Sequence, residues 1–87
     1  MAATRDEISG WFDRGVKEGA RHMLVLCDTF DHDDYPVFTH TDNDCLVRYR
    51  NPGNMQRVME VYDLRTDKTS QMNEKRAFHL PVEVPNA

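Results

Sequence analysis

Six aspartates and two histidines fall within the stretch DTFDHDDYPVFTHTDND, Asp28 to Asp44, with no lysine or arginine among them. Residues of these types at this density suit three chemistries. Carboxylates from Asp28, Asp31, Asp33 and Asp34 are hard oxygen ligands for calcium or magnesium, and with His32 and His40 they would suit a transition metal. A histidine held beside an aspartate in a cleft makes an acid–base pair. Aspartates interleaved with Phe30, Tyr35 and Phe38 make a docking surface, on which rings anchor a partner and charge steers its approach.

The first two chemistries find little support in the spacing. Asp31-x-Asp33 opens like a calcium loop, but its sixth position is Pro36 where glycine is needed and its twelfth is Asp42 where glutamate is needed. A looser set of Asp31, Asp34 and His40 is what remains for a metal. Acid–base work would have to join Asp28 to His40 or His79, or Cys27 or Cys45 to a histidine. No Gly-x-Ser-x-Gly, phosphate-binding glycine loop or His-Glu-x-x-His is present to support it. The reading is therefore a binding protein rather than an enzyme, with no cofactor and no resident metal. Its contact residues are Asp28, Asp31, His32, Asp33, Asp34 and Tyr35. The plainer alternative turns the three rings into the core and leaves the aspartates only to solvate a loop.

Certain elements must hold this stretch in place. Thr4-Arg5-Asp6-Glu7 has the form of a capping box, and Ile8, Trp11, Phe12 and Val16 follow at helical spacing. The pattern predicts a helix over 4–18, ended by Gly19. Gly10 and Gly15 weaken that helix unless they permit close packing on a sheet. The apolar run in 22–28 predicts a central strand, and 35–40 a second one on which Pro36 marks an edge. The short loop between them predicts an antiparallel hairpin. Asp42 or Asp44 would cap a short helix over 45–50, with an extended strand the close second reading; Asn51-Pro52-Gly53-Asn54 is a turn. Residues 55–64 read as a strand, and Thr66 or Asp67 as the cap of a helix reaching 77. The sum is an α+β domain over 1–80, with an antiparallel sheet of about three strands and helices on one face, followed by an extended tail over 81–87.

Composition sets the bounds. Eighty-seven residues make one domain, with 39% hydrophobic and 30% charged residues and a formal charge of −4. Since 28–44 alone carries six negative charges, the remainder is slightly basic. Net acidity disfavours direct nucleic-acid binding, which needs lysine and arginine against phosphate. The one basic cluster, Arg48, Arg50 and Arg57, would suit a nucleotide's phosphates, with Trp11 or Tyr62 stacking on its base; Tyr49 is the more exposed aromatic of this region, and Trp11 fits the core better. Two cysteines make neither a disulfide framework nor a zinc site. No signal peptide or membrane-spanning run is read, so the expected setting is the cytosol, with no membrane partner. A small core would gain from homodimerisation.

Three stretches carry a resemblance. Val25-Leu26-Cys27-Asp28-Thr29-Phe30-Asp31 running into Asp34-Tyr35-Pro36-Val37, Asn54 to Leu64, and Asn73-Glu74-Lys75-Arg76-Ala77-Phe78-His79 resemble a family of small uncharacterised proteins encoded in bacteriophage and prophage genomes. Thr41–Pro52 is the least typical part. The resemblance implies an accessory phage protein acting in the host cytosol and no further; in that setting the acidic surface suggests an inhibitor or modulator of a host nucleic-acid-handling or defence protein. It brings no established activity, cofactor or catalytic residue with it.

Overall fold

The computed structural model describes residues 3–81. Its elements are α1 (Arg5–Lys17), β1 (His22–Asp28), β2 (Asp33–Thr39), α2 (Asp42–Arg50), β3 (Gln56–Asp63) and α3 (Lys68–Met72). The three strands form one antiparallel sheet in the order β2-β1-β3. The α+β class and the three-stranded sheet match the sequence reading.

The continuous apolar run makes β1 the central strand because both of its faces are covered. Met23 and Val25 point to one face, under Ile8 and Phe12 of α1. Leu24 and Leu26 point to the other, under Cys45 of α2. The helices therefore do not share one face: α2 covers the side opposite α1. A β-bulge between Val25 and Leu26 pairs Val25 with Glu60 but Leu26 with Val58. The extra residue lets Val58 and Val61, three apart, both serve the α2-side cluster.

Local chemistry explains the helix limits. Thr4 accepts the Glu7 amide at 3.1 Å while Glu7 reaches back to the Thr4 amide, completing the capping box. Gly19, at φ +78°, follows the C-cap Glu18, where a left-handed residue ends the helix. Residues 42–50 are helical, and the cap is Thr41, not Asp42 or Asp44; its hydroxyl accepts the Asp44 amide at 3.0 Å. Asp42 and Asp44 then fall in the first turn, and Arg48 and Arg50 in the last, as the helix dipole favours. Asp67 caps α3, whose five residues stop far short of 77. The chain leaves the helix because Ala77 and His79 are needed elsewhere: the Val61 amide donates to the Ala77 carbonyl at 2.8 Å, and the His79 amide to the Val61 carbonyl at 2.9 Å. These bonds cover the outer edge of β3 at Val61. Among the described residues the outer edge of β2 has no such cover. The tail read over 81–87 lies, beyond Pro81, outside the described residues.

The two helix glycines differ. A Cβ on Gly15 would meet Leu64 Cδ1 at 2.6 Å and Phe38 Cε1 at 2.8 Å, whereas one on Gly10 would meet nothing within 4 Å. Gly15 is thus the point of close approach between α1 and the sheet. Gly10→Ala should raise the urea midpoint, with a gain of about 0.5–1 kcal/mol from helix propensity. Gly15→Ala should lower it despite the same gain, since overpacking costs about 1–3 kcal/mol. Equal effects from the two substitutions would show that the contact is soft.

Candidate interaction surface at the hairpin end

The acidic residues of the hairpin are brought to one end of the molecule but do not form one patch. Asp28 and Asp33 are direct cross-strand partners, while Asp34 pairs with Cys27 on the face covered by α1. Asp28 is half-buried and closes its own turn: Oδ1 accepts the Phe30 amide at 2.8 Å, and its carbonyl accepts the His32 amide at 2.6 Å. Asp34, also half-buried, accepts the Ala3 amide at 3.0 Å. Tyr35 is turned inward, against the cluster of Leu24 and Leu26, and its hydroxyl donates to Gln56 Oε1. Asp31, His32 and Asp33 are exposed at the tip, and Asp33 is not without an interaction of its own.

One residue outside the predicted set dominates the tip. Phe30 is 75% exposed, the largest exposure among the large apolar residues described. Beside it lies a second turn. Thr29 donates both its amide, at 2.8 Å, and its hydroxyl, at 2.9 Å, to the Met55 carbonyl. Met55 is itself half-exposed. Among the described residues, the only two non-glycine residues with positive φ are His32, at 61°, and Met55, at 59°, one on each turn. Histidine is tolerated in the left-handed region better than most residues. Methionine is not, and Met55 occupies the third position of a turn closed by the Gln56 amide on the Gly53 carbonyl, where glycine or asparagine is the usual choice. Glycine at 53 and asparagine at 54 announce the turn; nothing in sequence reveals that methionine is held in strain beside Phe30.

The other sequence candidates are separated by the fold. His40 follows the far end of β2 from Asp31 and Asp34, which removes the looser metal set, and among the described residues no three His, Cys, Asp or Glu side chains converge to hold a metal ion. His79 lies against Glu74, Nε2 to Oε2 2.6 Å, and not near Asp28. Cys45 is fully buried, and burial raises its thiol to about 11. The Cys27 thiol is also raised, by desolvation and then by Asp34. Neither supplies a thiolate nucleophile near neutrality. Arg48 and Arg50 stand two residues apart on α2, and Arg57 is on β3, so the basic cluster is not one site. Trp11 packs on the α1-side core, and Tyr49 is exposed.

The titratable cluster that sequence reasoning missed is centred on a buried histidine. His22 is fully buried between Asp42, with Nδ1 3.9 Å from Oδ1, and Asp63, with Nε2 4.0 Å from Oδ2. Arg65 approaches both aspartates and Arg21 approaches Asp42. Burial holds the His22 imidazole below its ordinary value, against the pull of the two carboxylates. Asp42, Arg65 and Arg21 are partly exposed around the buried ring, and the ion pairs of Arg65 with Asp42 and Asp63 tie α2 to the sheet.

Comparison with known proteins gives no match: no family model, no curated protein and no solved structure resembles the chain. Among the described residues no helix is long and apolar enough to cross a membrane.

Proposed function

We propose that the protein binds another macromolecule through the end of the molecule formed by the β1–β2 tip and the turn before β3, with Phe30 as anchor, Met55 beside it, and Asp31, His32 and Asp33 as its polar rim. The observation that carries this reading is the pairing of an outward Phe30 with two left-handed turns bonded to each other through Thr29. Backbone strain costs stability and an exposed ring adds none, and a preordered apolar tip is what a binding hot spot requires. The aspartates favour a partner with a cationic groove, of the kind that otherwise accepts nucleic acid. The resemblance to phage-encoded proteins makes that partner a host protein in the cytosol, with inhibition or modulation as the outcome.

The test is a pull-down from host lysate with the wild-type chain, Phe30→Ala, and the double variant Asp31→Asn/Asp33→Asn. Loss of a hot-spot ring costs about 2 kcal/mol or more, roughly thirtyfold in affinity. Because Phe30 is exposed, its removal should leave the melting temperature unchanged. Retention of the dominant partner by both variants removes this end of the molecule from the contact.

A further inference from the structure

A different surface, independent of the hairpin tip, lies between the open edge of β2 and α2. It is a groove of about 430 Å³ lined on the strand side by Val37, Thr39 and His40 and on the helix side by Asp44, Val47 and Arg48. Helix positions 44, 47 and 48 share one face, which looks across the groove at the strand. Val47 is half-exposed there.

The direction of the backbone groups of β2 follows from the sheet. The Leu64 amide bonds the Arg21 carbonyl and the Thr29 amide bonds the Met55 carbonyl, so the odd-numbered residues of β1 bond β3 and the even-numbered ones bond β2. With His22 opposite Thr39 and Leu24 opposite Val37, the odd-numbered residues of β2 are those bonded to β1. The backbone of Asp34, Pro36 and Phe38 therefore faces outward. Pro36 has no amide proton and blunts the middle of the edge. Beyond it, the Phe38 amide and carbonyl and the Pro36 carbonyl have no backbone partner among the described residues, alongside the groove.

The second observation is Arg48. Its Nε is buried with no hydrogen-bond acceptor, and its guanidinium takes no carboxylate among the described residues. A buried cationic donor without an acceptor is costly, and a carboxylate is the group that matches its fork. We infer that the β2–α2 groove takes an extended peptide that adds to β2 at Phe38 and places a carboxylate side chain on Arg48.

The alternation of a strand fixes the pattern of that peptide. The residue opposite Phe38 shares the α1 face, and its two neighbours point into the groove. One neighbour meets Arg48; the other meets Val37 and Val47 and is apolar. An acidic and an aliphatic residue therefore stand two apart. Asp44, at the rim one turn before Arg48, repels a second acid and sets the direction of the strand. Strand addition supplies affinity through backbone bonds, and the pocketed side chains supply specificity.

The experiment selects a displayed library of random octapeptides on the full chain and measures the enriched peptide by amide exchange and titration. Enrichment of Asp or Glu two residues from Val, Ile or Leu is expected, with slowed exchange at the Phe38 amide. Arg48→Gln should weaken that peptide about tenfold or more without lowering the melting temperature. The Phe30→Ala variant should bind it unchanged, which separates this surface from the hairpin tip. The inference is overturned by no enrichment, by enrichment of basic peptides, or by protection at Gln56 rather than Phe38. It is also overturned by a Phe38 amide already protected in a self-associated chain, which would give the edge to a second copy.

Discussion

Replacing Tyr62 by alanine should destabilise the protein by about 3–5 kcal/mol, the range for losing a buried aromatic ring. A domain of this size has on the order of 4–13 kcal/mol in total, so near the lower end of that range most molecules would be unfolded at 37 °C. Tyr62 is the largest fully buried side chain, set edge-on to Phe12 at 6.1 Å and flanked by Met23 across β1. Its polar end matters as well. The hydroxyl donates to Glu60 Oε1 at 2.9 Å, and the same carboxylate accepts the Ala77 amide at 3.3 Å and the Arg5 guanidinium at 3.2 Å. Burial, and then Glu60, hold the Tyr62 proton in place far above its ordinary value, so the hydroxyl stays a donor at any working pH. Tyr62→Phe isolates this contribution. It keeps the ring and removes one of three donors to a carboxylate that is 7% exposed, at an expected cost of about 1–2 kcal/mol. Urea unfolding of the two variants separates packing from the hydrogen bond. Equal midpoints for Tyr62→Phe and wild type would show that Arg5 and Ala77 suffice for Glu60.

Glu60 also shows where sequence reading reached its limit. Its neighbours Val58, Met59, Val61 and Tyr62 spelled a strand, and the strand is there. Nothing local announced that a carboxylate in that strand would be buried, because two of its three donors stand 55 and 17 residues away. The capping box at Thr4 and the strand at 22–28 were legible for the opposite reason: each rests on contacts or periodicity within a few residues. The helix reaching 77 was overextended because residues 73–77 have acceptable helix propensity. The competing demand, two backbone bonds to Val61, comes from tertiary structure. The same division runs through the proposed contact surface. The density of aspartates was plain in sequence. That Asp28 caps its own turn, that Asp34 holds the Ala3 amide and that Tyr35 turns inward depend on strand parity and on the exact loop. Phe30 gained its prominence by the same route: four residues, Thr29 to His32, join β1 to β2, and the left-handed His32 is the last of them.

Acid should unfold the protein in two stages, the first beginning near pH 6.5 and belonging to His22. In the unfolded chain this histidine titrates near its ordinary value of 6.5. In the fold it is held lower, chiefly by burial, with Arg65 and Arg21 acting in the same direction and Asp63 and Asp42 against it. A depressed folded value means that the unfolded state binds the proton first. Stability is therefore complete above about pH 6.5 and falls as the pH drops from there through the folded value. Asp63 gives the second stage. Burial raises its carboxyl, but the Arg65 amide and guanidinium outweigh this and bring it below 3.8. Its contribution is present above that pH and lost as the pH falls further. The charged groups around His22 are Asp42 on α2, Asp63 at the end of β3, Arg65 just after it and Arg21 before β1, and Thr39 of β2 is its cross-strand partner. Both ring nitrogens lack a hydrogen-bond partner, so the neutral ring contributes packing rather than bonds. His22→Leu should accordingly be tolerated at pH 7.5 and abolish the first stage, leaving a flat midpoint between pH 7.5 and 5 in urea titrations. If the wild-type midpoint is already flat across that interval, the imidazole is reaching solvent. In that case the seam between α2 and the sheet opens more readily than its burial implies.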